Sequence, residues 1–155
     1  MAGSNGPGTA AGGYYPPVGF HFKVEFVGIG TDNDMRFQSV SGLSVEYDTE
    51  SYKEGGENRY EHKLPVRTKY ADLSLKRGML VNSDVIDWCK KALQDRQFTT
   101  AQVNITLLNE QHQALKTWQV FGAWPKKWSV SDFNAQENSI VVETMELSYS
   151  YFTVM

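Results

Sequence analysis

Apolar and polar side chains alternate along several stretches of the chain, and strict alternation is typical of a half-buried β-strand. Residues 20–27 alternate in this way, as do residues 70–79, 101–107 and 115–124. The longest such signal covers residues 140–154. One face of that stretch is predicted to carry Met145, Leu147, Tyr149 and Tyr151, and the other Thr144, Glu146, Ser148 and Ser150.

Residues 83–97 change to helical spacing, and they predict one α-helix. Ser83 can cap its N-terminus, and Asp84 and Asp87 lie in the first turn, where the helix dipole favours acidic side chains. The apolar face of this helix is predicted to consist of Val85, Ile86, Cys89, Ala92 and Leu93.

Residues 37–64 form two extended runs on either side of a charged turn that contains Gly55 and Gly56. They predict a break near Gly42 and then a long protruding β-hairpin, over about residues 46–69, that is polar on most of its surface. A strand pair with few apolar residues of its own is only marginally stable in water. The hairpin therefore needs another surface to pack on, and the simplest one is a second copy of the same protein.

Two prolines are predicted to interrupt strands, because proline has no backbone N–H to donate to a sheet. Pro65 is expected to separate the hairpin from the strand at 70–79, and Pro125 to stop the strand at 115–124. Residues 126–135 would then form a connection whose aromatic side chains cover an open sheet edge or a barrel mouth.

The order of elements, several strands, one helix and more strands, favours antiparallel sheets over repeated βαβ units. The predicted fold is mainly β, an antiparallel β-barrel or two-sheet sandwich with one packed helix and the protruding hairpin. Residues 1–13 are rich in Gly and Ala and predict a flexible tail. Residues 14–155 are expected to form a single domain, a size that fits 155 residues in all.

Composition and charge exclude several classes of partner. A net charge of −3 gives no reason to expect sequence-specific nucleic-acid binding. No apolar run reaches the roughly 18 residues of a membrane helix, so no direct membrane anchor is predicted. The first residues lack the basic and apolar regions of a signal peptide, and we expect synthesis in the bacterial cytoplasm.

Candidate catalytic and metal-binding groups are few. The three histidines, His21, His62 and His112, are isolated in sequence, and none has a partner at a metal-ligand spacing. The single cysteine, Cys89, lies on the apolar face of the helix, where a thiol acts as a small hydrophobe. Gly55 and Gly56 lack the Lys-Ser/Thr of a phosphate loop. The sequence thus predicts neither an enzyme nor a cofactor.

Exposed sheet edges must be covered or paired, and pairing with identical neighbours would close sheets into a ring. Stacked rings make a tube, and a polar, solvent-exposed strand face would line its lumen. The lumen-facing candidates are Thr144, Glu146, Ser148 and Ser150. A monomeric barrel with an apolar ligand cavity fits the same periodicity, and this alternative stays open.

Several short motifs, in order, give the chain a resemblance to a known family. They include residues 37–43 (FQSVSGL), 54–58 (EGGEN), 73–78 (LSLKRG), 103–109 (VNITLLN) and 123–128 (AWPKKW). With Trp88 and residues 138–149, this series resembles the tail tube proteins of contractile-tailed phages. Residues 14–22 (YYPPVGFHF) are most similar to the tube proteins of extracellular contractile injection systems, which often include a first-ring paralogue near the baseplate.

The resemblance implies a structural subunit that forms hexameric rings stacked into the inner tube of an injection machine or a virion tail. It implies as partners a contractile sheath, baseplate and spike proteins, a tube terminator or cap, and a protein cargo in the lumen. A phage virion tube and a ring protein like those of type VI secretion are the alternatives. The hairpin would contact the next ring through Tyr52, Lys53, Glu54, Glu57, Asn58 and Arg59.

Overall fold

Antiparallel strands and one helix build the part of the chain that the computed structural model describes, namely residues 21–30, 36–53, 55–56, 59–136 and 140–155. The predicted tail at 1–13 lies outside these residues, and the single domain over 14–155 stays a prediction. The elements, in chain order, are β1 His21–Phe26, β2 Ser39–Ser41, β3 Val45–Tyr52, β4 His62–Tyr70, β5 Leu73–Gly78, α1 Asp84–Leu93, β6 Ala101–Leu108, β7 Ala114–Val130, β8 Val142–Ser148 and β9 Tyr151–Val154.

Strand β7 belongs to both layers of the fold. In the first layer, the first half of β7 pairs with β6 and β9, and β6 also pairs with β1. In the second layer, the second half of β7 pairs with β8, which pairs with β5, and β5 pairs with β2. The resulting arrangement is sandwich-like rather than a closed barrel, and it confirms the predicted mainly β antiparallel fold.

Pro125 does not stop the strand, contrary to the sequence-based expectation. β7 runs for 17 residues through this position, and residues 126–130, which were predicted to be part of a connection, belong to its second half. The register with β8 shifts between Pro125 and Lys127. Such a bulge leaves one residue out of the ladder, so the missing N–H of proline is tolerated there.

The alternation of apolar residues correctly predicts the core. Strand pairing sets Leu73 beside Leu147 and Leu75 beside Met145, and all four side chains are completely buried. Val24, Val103 and Val120, which are equally buried, lie on the inner face of the other layer. Each such side chain contributes about 1.5–3 kcal/mol through its removal from water.

The helix is shorter than the predicted 83–97, because α1 ends at Leu93 and Arg96 has a positive φ of 57°. Its N-cap is confirmed, since the Ser83 hydroxyl accepts a hydrogen bond from the Ile86 amide at 3.3 Å. Two side chains differ from the predicted apolar face. Leu93 is exposed, whereas Trp88 is buried and donates its indole N–H to the Thr99 carbonyl at 2.7 Å.

The C-terminal stretch at 140–154 is not one strand. It breaks after Ser148 into β8 and β9, which pair with different halves of β7. The Ser150 amide donates to the Phe121 carbonyl at 2.9 Å, and this turn carries the chain from one layer to the other. Alternation alone does not reveal such a turn, because it continues on both sides of the break.

Candidate assembly surfaces

The hairpin of β3 and β4 is a separate two-stranded sheet, and it confirms the predicted span of about 46–69. Every residue of β3 is exposed. Pro65 lies inside β4, opposite Thr49, instead of separating the hairpin from the next strand. A register shift at Asp48 and Thr49 accommodates it, since proline is tolerated at bulges and in strands with an open edge.

The two faces of the hairpin differ in charge. The sequence predicted only a hairpin that is polar on most of its surface. Cross-strand pairing sets Val45 beside Tyr70 and Tyr47 beside Thr68 on one face. The opposite face carries oppositely charged pairs near the base, Glu46 with Lys69 and Asp48 with Arg67. The first of these faces exposes apolar surface, with Tyr47 63% and Val45 49% accessible.

Gly42 fixes the root of the hairpin. Its φ is +93°, and a Cβ placed on it would lie 1.9 Å from the Asp72 carbonyl oxygen. Its own carbonyl accepts hydrogen bonds from the Ser44 amide at 2.8 Å and from the Tyr149 hydroxyl at 3.4 Å. The pKa of Tyr149 is raised to about 12, mainly by burial and to a smaller extent by the nearby Tyr70 and Asp72. The hydroxyl therefore stays protonated and can donate this hydrogen bond.

Aromatic contacts join the hairpin to the body. The Tyr70 ring packs edge-on against Tyr149 at 5.8 Å and against Phe152 at 5.3 Å. Because Tyr70 ends β4 and Phe152 belongs to β9, this cluster ties the hairpin to the edge of the first layer. The rest of the hairpin projects beyond it.

The tip of the hairpin carries the residues predicted to contact the next ring. Tyr52, Lys53 and Arg59 are exposed there. Glu54, Glu57 and Asn58 lie outside the described residues. Lys53 forms a surface ion pair with Glu61, with Nζ and Oε1 3.5 Å apart. The contact role of these residues stays a prediction.

Three of the four lumen-facing candidates share one polar sheet face. Thr144, Glu146 and Ser148 alternate with buried residues along β8, and all three are half-buried. Ser150 is exposed but lies in the turn after β8, so it is not on this strand face. Strand pairing extends the face across β5 and β7 through Ser74, Lys76, Lys127 and Ser129.

The charges around this polar face include one close ion pair. The Lys126 ammonium lies 2.6 Å from the Asp72 carboxylate, and this hydrogen bond is the main cause that raises the pKa of Lys126. Glu146 adds a further favourable charge near Lys126. A sheet face of hydroxyls and paired charges suits contact with water better than burial against a second layer.

A buried ion pair links the second layer to the helix. Arg77 donates from Nε to Glu143 and from Nη2 to the Ser83 hydroxyl at 2.8 Å. Glu143 also accepts from the Trp128 indole at 3.4 Å, and both charged side chains are at most 2% exposed. The Arg77 guanidinium lies 4.9 Å from the centre of the Phe37 ring. Sequence reasoning missed this pair.

The histidines are less isolated than their sequence positions suggested. His21 and His112 stack with ring centroids 5.4 Å apart, since strand β1 and the β6–β7 turn meet there. His62 packs against two tyrosines in the hairpin. Among the described residues, no three His, Cys, Asp or Glu side chains are grouped so that they could hold a metal ion.

Cys89 is buried beside Met145, with their sulfur atoms 3.6 Å apart. Burial, with a smaller contribution from Glu143, raises the pKa of this thiol from its ordinary value of 9.0 to about 12. At neutral pH the side chain is therefore an uncharged thiol. Its contribution to stability is present below about pH 9 and is lost as the pH rises towards 12.

We expect Cys89 in the folded protein to react at least about a hundredfold more slowly with a disulfide reagent at pH 8 than in the urea-unfolded protein. The reason is that only the thiolate reacts, and in the fold the side chain is both 2% exposed and raised in pKa to about 12 by burial. The colour released by a thiol reagent would measure both rates. Equal rates would show that the thiol is accessible and ionised in the fold.

Within the described part of the chain, no helix is long and apolar enough to span a membrane.

Comparisons with known proteins define the class as tail tube-like structural proteins of contractile injection systems, not enzymes. The model of a family described as T4-like virus tail tube protein gp19 matches residues 18–153. The chain belongs to this tail tube family. A search of curated proteins finds no significant match.

Two structural neighbours are more than a quarter identical to this chain. A chain in the baseplate of the anti-feeding prophage, described as 6-fold symmetrised, is 30% identical, with a TM-score of 0.80 over 91% of this chain and 96% of that one. A chain in the extended sheath–tube complex of the extracellular contractile injection system PVC is 28% identical, with a TM-score of 0.76 over 92% and 93% of the two chains.

Secretion-system proteins share the fold at lower identity. Hcp1 from Flavobacterium johnsoniae is 12% identical, with a TM-score of 0.51 over 86% of this chain and 93% of that one. At this level the likeness concerns the fold alone.

Proposed function

We propose that the chain is the inner tube subunit of an extracellular contractile injection system. Six copies form a ring, and rings stack into a hollow tube inside a contractile sheath. Membership of the tail tube family supports this proposal, as does similarity to chains found in a sheath–tube complex and in a 6-fold symmetrised baseplate. These neighbours favour an injection system over the alternatives of a virion tail tube and a type VI-like ring.

The exposed hairpin is the observation that carries the proposal. Its strands lie outside the sandwich, and one of its faces is uncharged over Val45, Tyr70, Tyr47 and Thr68. Isolated two-stranded sheets are only marginally stable in water. A neighbouring copy that covers this hairpin would remove the exposed apolar surface and order both strands.

The proposed mechanism is mechanical. Strands at the layer edges pair with those of neighbouring copies, which removes the open sheet edges. These head-to-tail interfaces close the ring. The hairpins then bridge successive rings, so a push on one end of the tube is transmitted along it. Interfaces of this kind are large and permanent.

The polar face of β8 is the proposed lumen surface. Thr144 and Glu146 on this face lie beside serines and lysines of the adjacent strands. A solvated wall without exposed apolar patches would let a protein cargo pass without adhering. Ser150, in the turn that follows β8, remains a lumen-facing candidate although it does not lie on this strand face.

We further propose that the chain can also supply the ring nearest the baseplate, on which further rings of the same chain stack. Similarity to a chain in the baseplate of the anti-feeding prophage, at 30% identity, supports this position. The sheath, the spike and a terminator or cap are the remaining proposed partners. A related chain in the terminating cap of that prophage is 26% identical, which supports the last of these.

Replacing residues 54–58 with a short Gly-Ser turn is expected to leave rings intact and to prevent their stacking, because the inter-ring contact would be lost. Negative-stain electron microscopy, with the mass in solution measured alongside, would count rings and tubes. The matched control replaces the exposed β6–β7 turn at 109–113 in the same way and should leave stacking unchanged. Tubes of full length from the hairpin variant would contradict the proposal.

A further inference from the structure

Three aromatic rings pack together in the distal half of the hairpin, away from the core of the sandwich. The His62 ring stacks on Tyr52 with centroids 5.1 Å apart and planes at 19°. Tyr60 meets the same imidazole edge-on, at 5.1 Å and 80°. His62 is thus the shared member of the cluster and is only half-buried, while Tyr52 is 44% and Tyr60 55% exposed.

We propose that His62 is a positioning residue for ring stacking, which holds Tyr52 and Tyr60 ready to contact a second copy of the chain in the adjacent ring. This inference rests on the proposed function and adds Tyr60 and His62 to its contact surface. His62 acts through the two tyrosines, whose rings offer large exposed areas with few rotatable bonds.

The chemistry of the cluster fits a contact between proteins. Tyrosine is enriched at protein interfaces because its ring packs while its hydroxyl remains hydrogen-bonded. Ordering side chains before assembly lowers the entropy lost when the contact forms. A ring of several copies presents one cluster per copy, so a small loss at each is summed over the whole ring.

The cluster contributes little to the fold of the body. Tyr52, Tyr60 and His62 lie outside the hydrophobic core of the sandwich. The nearby ion pair of Lys53 and Glu61 is solvent-exposed, and pairs of this kind add little to stability. A substitution of His62 is therefore expected to change assembly while the melting temperature of the subunit stays the same.

The test compares His62→Asn, which removes the ring, with His62→Phe, which keeps it, in the full-length chain. We expect His62→Asn to form rings normally but to reduce the fraction of rings found in stacks by about tenfold. His62→Phe should restore stacking to within about twofold of the original protein. Tyr60→Phe, which keeps the ring and removes the hydroxyl, should behave in the same way.

Three results would overturn the inference. Stacking of His62→Asn at the original level would show that the cluster is not needed. Loss of stacking in both His62 variants would assign the effect to the imidazole nitrogens instead of ring packing. Loss of rings as well as stacks in His62→Asn would show a role in the subunit or in lateral contacts.

Hydrogen exchange separates this inference from the proposed function. If the original protein forms neither rings nor tubes, the proposed function fails. The amides of β3 and β4 near Tyr52 and His62 can still be followed in the free subunit. His62→Asn should speed their exchange, and His62→Phe should not. Equal rates in all three proteins would reject the positioning role independently of assembly.

Discussion

Glu143→Gln is expected to lower the free energy of unfolding by about 3–5 kcal/mol, as a loss of charge in a buried pair does. The substitution keeps the shape of the side chain but removes the negative charge that the buried Arg77 guanidinium, 2% exposed, contacts at this position. Arg77 also holds the N-cap Ser83, so the effect should reach the helix. Urea unfolding followed by tryptophan fluorescence would measure it.

Two further variants show whether charge burial is the cause. The double variant Arg77→Met, Glu143→Leu removes both charges and should recover most of the lost stability. An apolar pair of similar size buries no charge that would need an opposite charge beside it. Asp48→Asn disrupts an exposed pair with Arg67, at 3.9 Å, and should change stability by less than about 1 kcal/mol. A similarly small effect of Glu143→Gln would show that the buried pair is not coupled to folding.

Gly42→Ala is expected to destabilise the protein by about 3 kcal/mol or more and to misplace the hairpin. The φ of +93° is unfavourable for alanine, and the added Cβ would lie 1.9 Å from the Asp72 carbonyl oxygen. The backbone around Gly42 must move, and it would take the root of the hairpin with it. Thermal unfolding and ring assembly would both report the change.

Gly28 offers the matched control for this prediction. Its φ is +80°, but nothing lies within 4 Å of an added Cβ. Gly28→Ala therefore carries the backbone penalty alone, about 1–2 kcal/mol, and should leave assembly intact. Equal stability of the two alanine variants would show that the backbone around Gly42 can move away from Asp72 without a loss of free energy. The root of the hairpin would then not be rigid.

Local patterns in the sequence predicted much of the fold. Alternation identified the inward residues of β5 and β8, such as Leu75 and Met145, because one face of each strand is buried. The same alternation places Arg77 and Glu143 at inward positions. Two opposite charges at core positions were thus a signal for the buried pair, although only the register shows that they meet.

Other features depend on tertiary context. The strand that continues through Pro125 and the break after Ser148 follow from a bulge and a change of layer, which single-strand patterns do not encode. The aromatic cluster at the hairpin depends on the register that sets Tyr52 opposite His62. Of the candidate site residues, the sequence correctly placed Thr144, Glu146 and Ser148 on one strand face, because they lie on one side of that break.

The sharing of β7 between both layers restricts how the length of the chain can vary. A one-residue insertion in a strand turns the following side chains to the opposite face. In β7 such an insertion before Val120 would displace the pairing with β6, β9 and β8 together. Length differences among homologues should therefore gather in the turn at 109–113 and at the hairpin tip, and they should be rare within residues 114–130.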